Sequence, residues 1–152
     1  MISPEILRRF PLFGRLEPEM IKAVAMLGDE VSYSAGDWLF REGTPAGSLF
    51  LVLDGSIELI VDLNGASEQQ ARLNTRTLGE IIGWSALVPP HTYTLSGRAK
   101  TDARLARFDG PELRELMDSD PAAAYWLMHN VASVVGERLV RLRNQFVSMT
   151  SP

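Results

Sequence analysis

Residues 79–90 read GEIIGWSALVPP and differ from the segments on either side. The run lacks the alternation of apolar and polar residues that a half-buried strand shows, and it is too short for an ordinary helix. The segments before and after it have the character of short strands. The pattern therefore predicts a short helical turn inserted between strands.

Short strands broken by turn signals extend over residues 30–108. Pairs such as Asp54-Gly55 and Asn64-Gly65 recur at about ten-residue spacing between apolar runs. Strands this short favour an antiparallel barrel or sandwich over a sheet with crossover helices. The sequence therefore predicts a mainly β fold with flanking helices, a double-stranded β-helix (jelly-roll or β-roll) barrel.

Helical patterns flank these strands on both sides. Residues 1–28 carry apolar residues at helical spacing, with Pro18 opening a second segment, and they predict two short helices. Residues 109–149 predict two more helices, with Pro111 in the first turn of the shorter one and a long helix at the C-terminal end. We find no repeat or linker, so we expect one domain over residues 1–152.

The composition is that of an ordinary soluble domain. With 152 residues, 45% of them hydrophobic, and a formal charge of -4, the chain can bury a normal core and is poorly suited to wrap nucleic acid. It contains no cysteine, which excludes thiolate zinc sites, cysteine nucleophiles and iron–sulfur clusters. No apolar run has the length of a membrane span, and charges appear before a signal-peptide core develops. We therefore expect a cytoplasmic protein with no membrane contact.

Four short motifs are spread over nearly the whole chain. They are LFxxL at 12–16, Gly36-Asp37, LDGSIE at 53–58 and LGEIIG at 78–83. Their order and spacing resemble the cyclic nucleotide-binding domain family, as found in the sensor half of the catabolite activator protein. The resemblance implies a non-enzymatic sensor domain with cAMP or cGMP as the expected ligand.

The resemblance also implies that residues 79–94 form a phosphate-binding cassette. In that family, backbone N–H groups at the start of a short helix bind the cyclic phosphate, and an arginine near the cassette's end adds a charge-assisted bond. The glutamate of the Gly-Glu pair accepts a hydrogen bond from the ribose 2′-hydroxyl. The candidate ligand-binding residues are therefore Gly79, Glu80, Ile82, Gly83, Trp84, Ser85, Ala86, Tyr93 and Thr94.

The cassette arginine has no counterpart at the expected position. Aligning residues 98–101 with the family's tail puts Tyr93 in place of the arginine and Thr94 on the following Ser/Thr. Arg98 could replace the missing cation only if its side chain points into the roll. Loss of one charge-assisted bond weakens binding by about 10- to 100-fold. We therefore expect weak or no cyclic nucleotide binding, or a different small anionic ligand.

Other roles and functions stay open. Glu80 could accept hydrogen bonds from backbone N–H groups of its own turn, and Trp84 could fill the core instead of stacking on a base. A cupin-type metalloenzyme needs two or three histidines and a carboxylate around one metal, and the chain has only His91 and His129. The leading hypothesis is a regulatory, ligand-sensing domain without metal or enzymatic activity. A true cAMP or cGMP receptor, the sensor half of a transcription regulator and a cupin enzyme are the alternatives.

Apolar residues continue along the last helix beyond the length needed to cover the roll. Val135, Leu139, Leu142 and Phe146 follow one another at steps of three and four residues. In the family that the chain resembles, this helix is the dimer seam. We therefore expect a homodimer that pairs through these residues.

The same helix carries arginines at positions 138, 141 and 143, with Glu137 beside them. Mixed charges of this kind are typical of a solvated helix face. We therefore expect no direct nucleic-acid binding by these residues.

Overall fold

A computed structural model describes residues 1–62, 70–76 and 79–150 of the chain. At the N-terminal end it contains helix α1 (Pro4–Arg8), a 3-10 helix (Pro11–Phe13) and helix α2 (Pro18–Leu27). Each segment opens on a proline, whose fixed backbone angle and missing N–H suit the first turn of a helix. The sequence predicted two helices here, and the third segment is the single turn that Pro11 begins.

Eight strands form two four-stranded antiparallel sheets in the described residues. The strands are β1 (Gly28–Tyr33), β2 (Trp38–Phe40), β3 (Ser48–Asp54), β4 (Ile57–Asp62), β5 (Gln70–Arg76), β6 (Ile81–Ile82), β7 (Ser96–Ala99) and β8 (Ala103–Asp109). The first sheet has the order β1-β8-β3-β6, and the second has the order β2-β7-β4-β5. The predicted jelly-roll fold is confirmed, but the two sheets do not close into the predicted barrel.

Two apolar cores lie on opposite faces of the first sheet. Along β3, Leu49, Leu51 and Leu53 point toward the N- and C-terminal helices, whereas Phe50 and Val52 point into the space between the sheets. Alternate residues of a strand face opposite sides, so both sides of β3 are buried and its sequence is continuously apolar. The helices therefore cover the outer face of the first sheet and leave the interior of the roll to the strands.

Two helices follow β8, as predicted. They are α3 (Gly110–Ser119) and α4 (Pro121–Thr150). Asp109 caps α3 by accepting a 3.0 Å hydrogen bond from the Glu112 N–H at its Oδ2 atom. In α4, Leu127 and Val131 are buried against the helical core, and residues 141–150 are exposed. Within the described residues, no helix combines the length and apolar character needed to cross a membrane.

Candidate functional site

The segment 79–90 leaves the first sheet by a short strand and turns at two glycines. Pairing of β6 with β3 is extended by the Gly79 N–H, which donates to the Val52 carbonyl at 2.8 Å, and by the Val52 N–H, which donates to the Glu80 carbonyl at 3.0 Å. Gly83 ends the strand with φ 80°. A Cβ atom there would lie 2.8 Å from the Ser48 carbonyl oxygen, so the turn needs glycine.

The predicted helical turn is present as a 3-10 helix at Trp84–Ala86. Its backbone bonds run from the Ala86 N–H to the Gly83 carbonyl at 3.0 Å and from the Leu87 N–H to the Trp84 carbonyl at 2.9 Å. The Nη1 atom of Arg114 on α3 donates to the Ala86 carbonyl at 2.6 Å. The turn is therefore fixed from α3 as well as by its own backbone.

Tyr93, at the position expected for the cassette arginine, is a buried core residue. Its ring stacks on Phe40 with 4.1 Å between the centroids, and its hydroxyl donates to the Ser48 carbonyl at 2.7 Å and accepts from the Ser48 N–H at 3.1 Å. Burial raises the pKa of the Tyr93 hydroxyl above its usual value, and the hydrogen bond to Ser48 offsets part of this rise. The neutral Tyr93 side chain therefore connects the end of the cassette to the start of β3 through its hydrogen bonds, while its ring packs on Phe40.

Part of the predicted site comes together in one nearly filled pocket, here called the cassette pocket. Among the described residues its lining is Phe40, Leu59, Gly83, Trp84, Ser85, Tyr93, Thr94, Leu95 and Arg138. Its free volume is about 10 Å³, the space that a single water molecule needs. Five of the predicted ligand-binding residues therefore meet here, around a space that is too small for a nucleotide.

The other four predicted residues lie elsewhere. Gly79 and Glu80 line a separate open cleft of about 780 Å³ beside the N-terminal helices, together with Phe10, Arg9 and other described residues. The side chains of Ile82 and Ala86 are fully buried in the two apolar cores. The structure therefore divides the candidate cassette residues among the cassette pocket, the open cleft and the apolar cores.

Arg98 does not replace the missing cation. It lies on the outer face of the second sheet, where its Nη2 atom is 3.0 Å from Oε1 of Glu58 and its guanidinium carbon is 4.9 Å from the Trp38 ring centroid. Glu58 itself is buried, so this ion pair belongs to the scaffold. Neither side chain lines the cassette pocket.

Arg138 on α4 is the pocket residue that the sequence analysis assigned to a solvated helix face, and this assignment was wrong. The side chain is half-buried, and its guanidinium carbon lies 6.0 Å from the centroid of the Trp84 ring. Trp84 is itself half-buried and packs on the helical core, which fits the core role left open for it. The spacing of Leu127, Val131 and Arg138 on one helix side was the available signal for the position of Arg138.

The two histidines lie in different parts of the fold. His91 is in the cassette loop with φ 57°, and its Nε2 atom is buried, whereas His129 is exposed on α4. Among the residues that the structure describes, no group of three or more His, Asp or Glu side chains could hold a metal ion.

The apolar stripe of α4 is exposed, as its sequence suggested. The exposed fractions are 36% for Val135, 67% for Leu139, 38% for Leu142 and 66% for Phe146. Large side chains exposed in a continuous row on one helix normally mark an interaction surface.

Comparison with known proteins identifies the family to which this fold and cassette belong. The family model of the cyclic nucleotide-binding domain matches residues 30–120. A solved structure of a candidate cyclic nucleotide-binding protein from Geobacter metallireducens GS-15 is 35% identical, covers 91% of this chain and 99% of its own, and superposes with a TM-score of 0.80. The chain belongs to the cyclic nucleotide-binding domain family.

Two characterised relatives of this cyclic nucleotide-binding domain are longer proteins. A cGMP-dependent protein kinase of Drosophila melanogaster is 30% identical over 86 residues, which are 57% of this chain and 11% of the kinase. A CRP-like cAMP-activated global transcriptional regulator of Mycobacterium tuberculosis is 25% identical over 148 residues, which are 95% of this chain and 62% of the regulator. The domain is thus of the regulator or sensor type, and it spans less than two thirds of each of these relatives.

Proposed function

We propose that this chain is a non-enzymatic regulatory domain that binds cAMP and cGMP weakly or not at all, and that it forms a homodimer through α4. The state of the cassette pocket carries the first part of the proposal. Tyr93 occupies the position of the phosphate-binding arginine, and its ring fills the space with the help of Phe40. A nucleotide must therefore displace a packed aromatic side chain and finds no cassette arginine in return.

The energetic cost of this arrangement sets the expected affinity. A hydrogen bond to a charged group contributes about 1.5–3 kcal/mol, so its loss reduces binding by about 10- to 100-fold. Opening the Tyr93–Phe40 stack adds to that loss, because aromatic pairs contribute about 0.5–1.5 kcal/mol beyond their buried area. An ordinary micromolar receptor would become one that binds cAMP more weakly than about 10 μM.

Titration calorimetry of the purified chain with cAMP and with cGMP tests this expectation. Tyr93→Ala removes the ring that fills the pocket, and it should bind cAMP more tightly than the wild type does, if it folds. Tyr125→Ala, which truncates an exposed tyrosine on α4, is the matched control and should leave the affinity unchanged. A nanomolar dissociation constant for the wild type would contradict the proposal, whatever the variants show.

The proposal of a dimer rests on the exposed stripe of α4. Full burial of a side chain of the size of Leu142 or Phe146 contributes about 1.5–3 kcal/mol. Pairing about a two-fold axis buries each residue of the stripe in both copies of the chain. Four such residues on each helix can supply enough free energy to offset the loss of translational and rotational freedom. The stripe therefore accounts for a dimer at micromolar concentration.

Light scattering tests the dimer with a substitution in the middle of the stripe. Leu142→Arg should give a monomer of 16.8 kDa, because each copy would place a charge opposite its symmetry mate. Met26→Arg changes an exposed apolar residue on α2 and should leave the dimer intact. A monomeric wild type would refute the proposal, and a dimer that survives Leu142→Arg would place the interface elsewhere.

A second candidate is the sensor half of a transcription regulator. It is favoured by the match to the cAMP-activated regulator, which extends over 95% of this chain and includes the long C-terminal helix. The relatives named above are a cAMP-activated regulator and a cGMP-dependent kinase. We also propose that this chain is located in the cytoplasm.

A further inference from the structure

An open cleft lies between the N-terminal helices and the outer face of the first sheet. Its volume of about 780 Å³ is within the range of about 300–1,000 Å³ that is usual for small-molecule sites. None of its described lining residues lines the cassette pocket. The cleft is therefore a separate candidate site, and the function proposed above does not use it.

Apolar groups from both sides form the walls of this cleft. Ile6 on α1 and Phe10, just before the 3-10 helix, line one side, and Leu53 near the end of β3 lines the other. A Cβ atom at Gly79 would lie 3.2 Å from Cδ1 of Phe10, so the missing side chain lets the Phe10 ring pack against the backbone before β6. The cleft therefore offers a fixed apolar surface to the body of a ligand.

Two arginines on different elements line the same cleft. Arg104 on β8 has its Nη1 atom 3.1 Å from Oε1 of Glu30, and its guanidinium group has further N–H donors. Arg9 directly follows α1 and forms no ion pair within the part of the chain that the structure describes, whereas its neighbour Arg8 pairs with Glu5. Arg9 is thus a cation beside an apolar wall, and no described carboxylate balances its charge.

The charges of the lining favour a ligand with a single negative charge. Glu80 also lines the cleft, and its carboxylate opposes a second negative charge on the ligand. A carboxylate can accept two parallel N–H bonds from one guanidinium group. A carboxylate without an apolar body, however, would leave the walls at Phe10 and Leu53 uncovered.

We propose that this cleft is a ligand site, separate from the cassette, for a monocarboxylate with an apolar body. The carboxylate binds the Arg9 guanidinium, and the apolar body packs on Phe10 and Leu53. Both the charge and the apolar part of the ligand are then needed for binding.

NMR titrations of the 15N-labelled chain locate and measure this binding. The probes are octanoate, 1-octanol and acetate, which carry the charge and the apolar body together or one at a time. Octanoate should shift the backbone amide signals of Phe10, Leu53 and Gly79 and bind at least about tenfold more tightly than acetate, a gain that corresponds to burial of about two methylene groups. 1-Octanol should bind more weakly than octanoate, because it lacks the charge that the Arg9 guanidinium binds.

Two neighbouring arginines supply matched variants. Arg9→Gln removes the cation of the cleft, and Arg8→Gln removes the same charge from the adjacent residue, which is paired with Glu5 and does not line the cleft. Octanoate binding should weaken by about 5- to 10-fold in Arg9→Gln, between the effects of an exposed ion pair and of a buried charge-assisted bond. It should be unchanged in Arg8→Gln. Both side chains are exposed, so both variants should fold.

Several results would overturn the proposal. They are amide signals of the cleft that octanoate leaves unchanged, equal affinities for octanoate and 1-octanol, equal octanoate affinities of Arg9→Gln and wild type, and equal losses in both arginine variants. Shifts confined to α4 would assign the binding to the exposed stripe and would also overturn it. A parallel titration with 1-naphthoate identifies the body, since tighter binding than that of octanoate indicates an aromatic carboxylate and weaker binding an aliphatic one. The cAMP titrations described above probe a different pocket, so their result does not decide this one.

Discussion

The substitution Tyr93→Phe removes the hydroxyl oxygen and leaves the ring in place. It therefore separates the contribution of the hydroxyl to stability from the contribution of the ring that fills the pocket. The ring and its stack on Phe40 remain, while the hydroxyl's two hydrogen bonds to the backbone of Ser48 are lost. Each bond contributes about 0.5–1.5 kcal/mol, so the free energy of unfolding should fall by about 1–3 kcal/mol. For a chain of this size, 1 kcal/mol corresponds to about 2–4 °C, which gives a decrease in Tm of about 2–12 °C.

The pH dependence of stability gives a second, independent signature of the same group. Burial is the main cause that raises the pKa of Tyr93 in the folded chain, so the unfolded chain loses this proton at lower pH than the folded chain does. Below about pH 10 the hydroxyl is neutral in both states and its contribution is fully present. As the pH rises further, stability falls by at most about 1.4 kcal/mol per pH unit, because the unfolded state binds fewer protons. The Tyr93→Phe variant has no hydroxyl at this position and does not lose stability in this way. The difference in free energy of unfolding between wild type and variant should therefore become smaller above about pH 10.

Thermal and urea unfolding, followed by circular dichroism at pH 7 and at pH 10–11, measure both effects. Tyr125→Phe removes the hydroxyl of an exposed tyrosine and should change the free energy of unfolding by less than about 0.5 kcal/mol. If Tyr93→Phe were as stable as Tyr125→Phe at pH 7, the hydroxyl would not tie the cassette to β3. An alkaline decrease of equal size in both variants would assign the pH effect to other groups.

Three further substitutions test other contacts by the same unfolding measurements. Arg98→Ala should cost about 1.5–3 kcal/mol, because it removes the charge-assisted bond between Arg98 and the buried Glu58. Arg104→Ala breaks an exposed ion pair and should cost under about 1 kcal/mol, and equal losses of stability in the two variants would contradict this ranking. Arg114→Ala removes the hydrogen bond from the guanidinium group to the Ala86 carbonyl, at the end of the 3-10 helix, and should lower the free energy of unfolding by about 1.5–3 kcal/mol. Amide hydrogen exchange should become faster in that 3-10 helix and not elsewhere. Asp109→Ala removes the cap of α3 at a cost of about 0.5–2 kcal/mol, and Asp109→Asn should restore most of it.

The fold could be predicted because its signals are local. The positive φ of Gly36 and Gly55 and the regular spacing of turn residues are properties of short segments, and they limit the chain to short antiparallel strands. The separation of the two sheets was not predictable in this way. Strand β6 ends after two residues because the chain turns at Gly83, where its backbone packs closely on Ser48. This is a contact between distant parts of the chain.

The site could be predicted only in part, because the cassette motif fixes the backbone of residues 79–86 and says little about side chains outside it. Tyr93 aligned with the family arginine, but its stack on Phe40 requires a residue that lies 53 positions earlier in the chain. The same packing predicts the effect of the substitution Tyr93→Arg. An arginine there would be placed among Phe40, Leu59 and Leu95, so loss of stability is the expected result, before any gain in nucleotide affinity.

Arg138 shows how the angle around one helix decides between an exposed and a half-buried charge. At 100° per residue, Arg138 projects within roughly 20° of Val131, on the side of α4 that covers the core, whereas Leu139 and Phe146 project roughly 80–100° away from Arg138. The buried side and the exposed stripe are therefore neighbouring faces of one helix. A helix moves as a rigid rod over a few turns, so any movement of α4 relative to the roll also displaces the stripe.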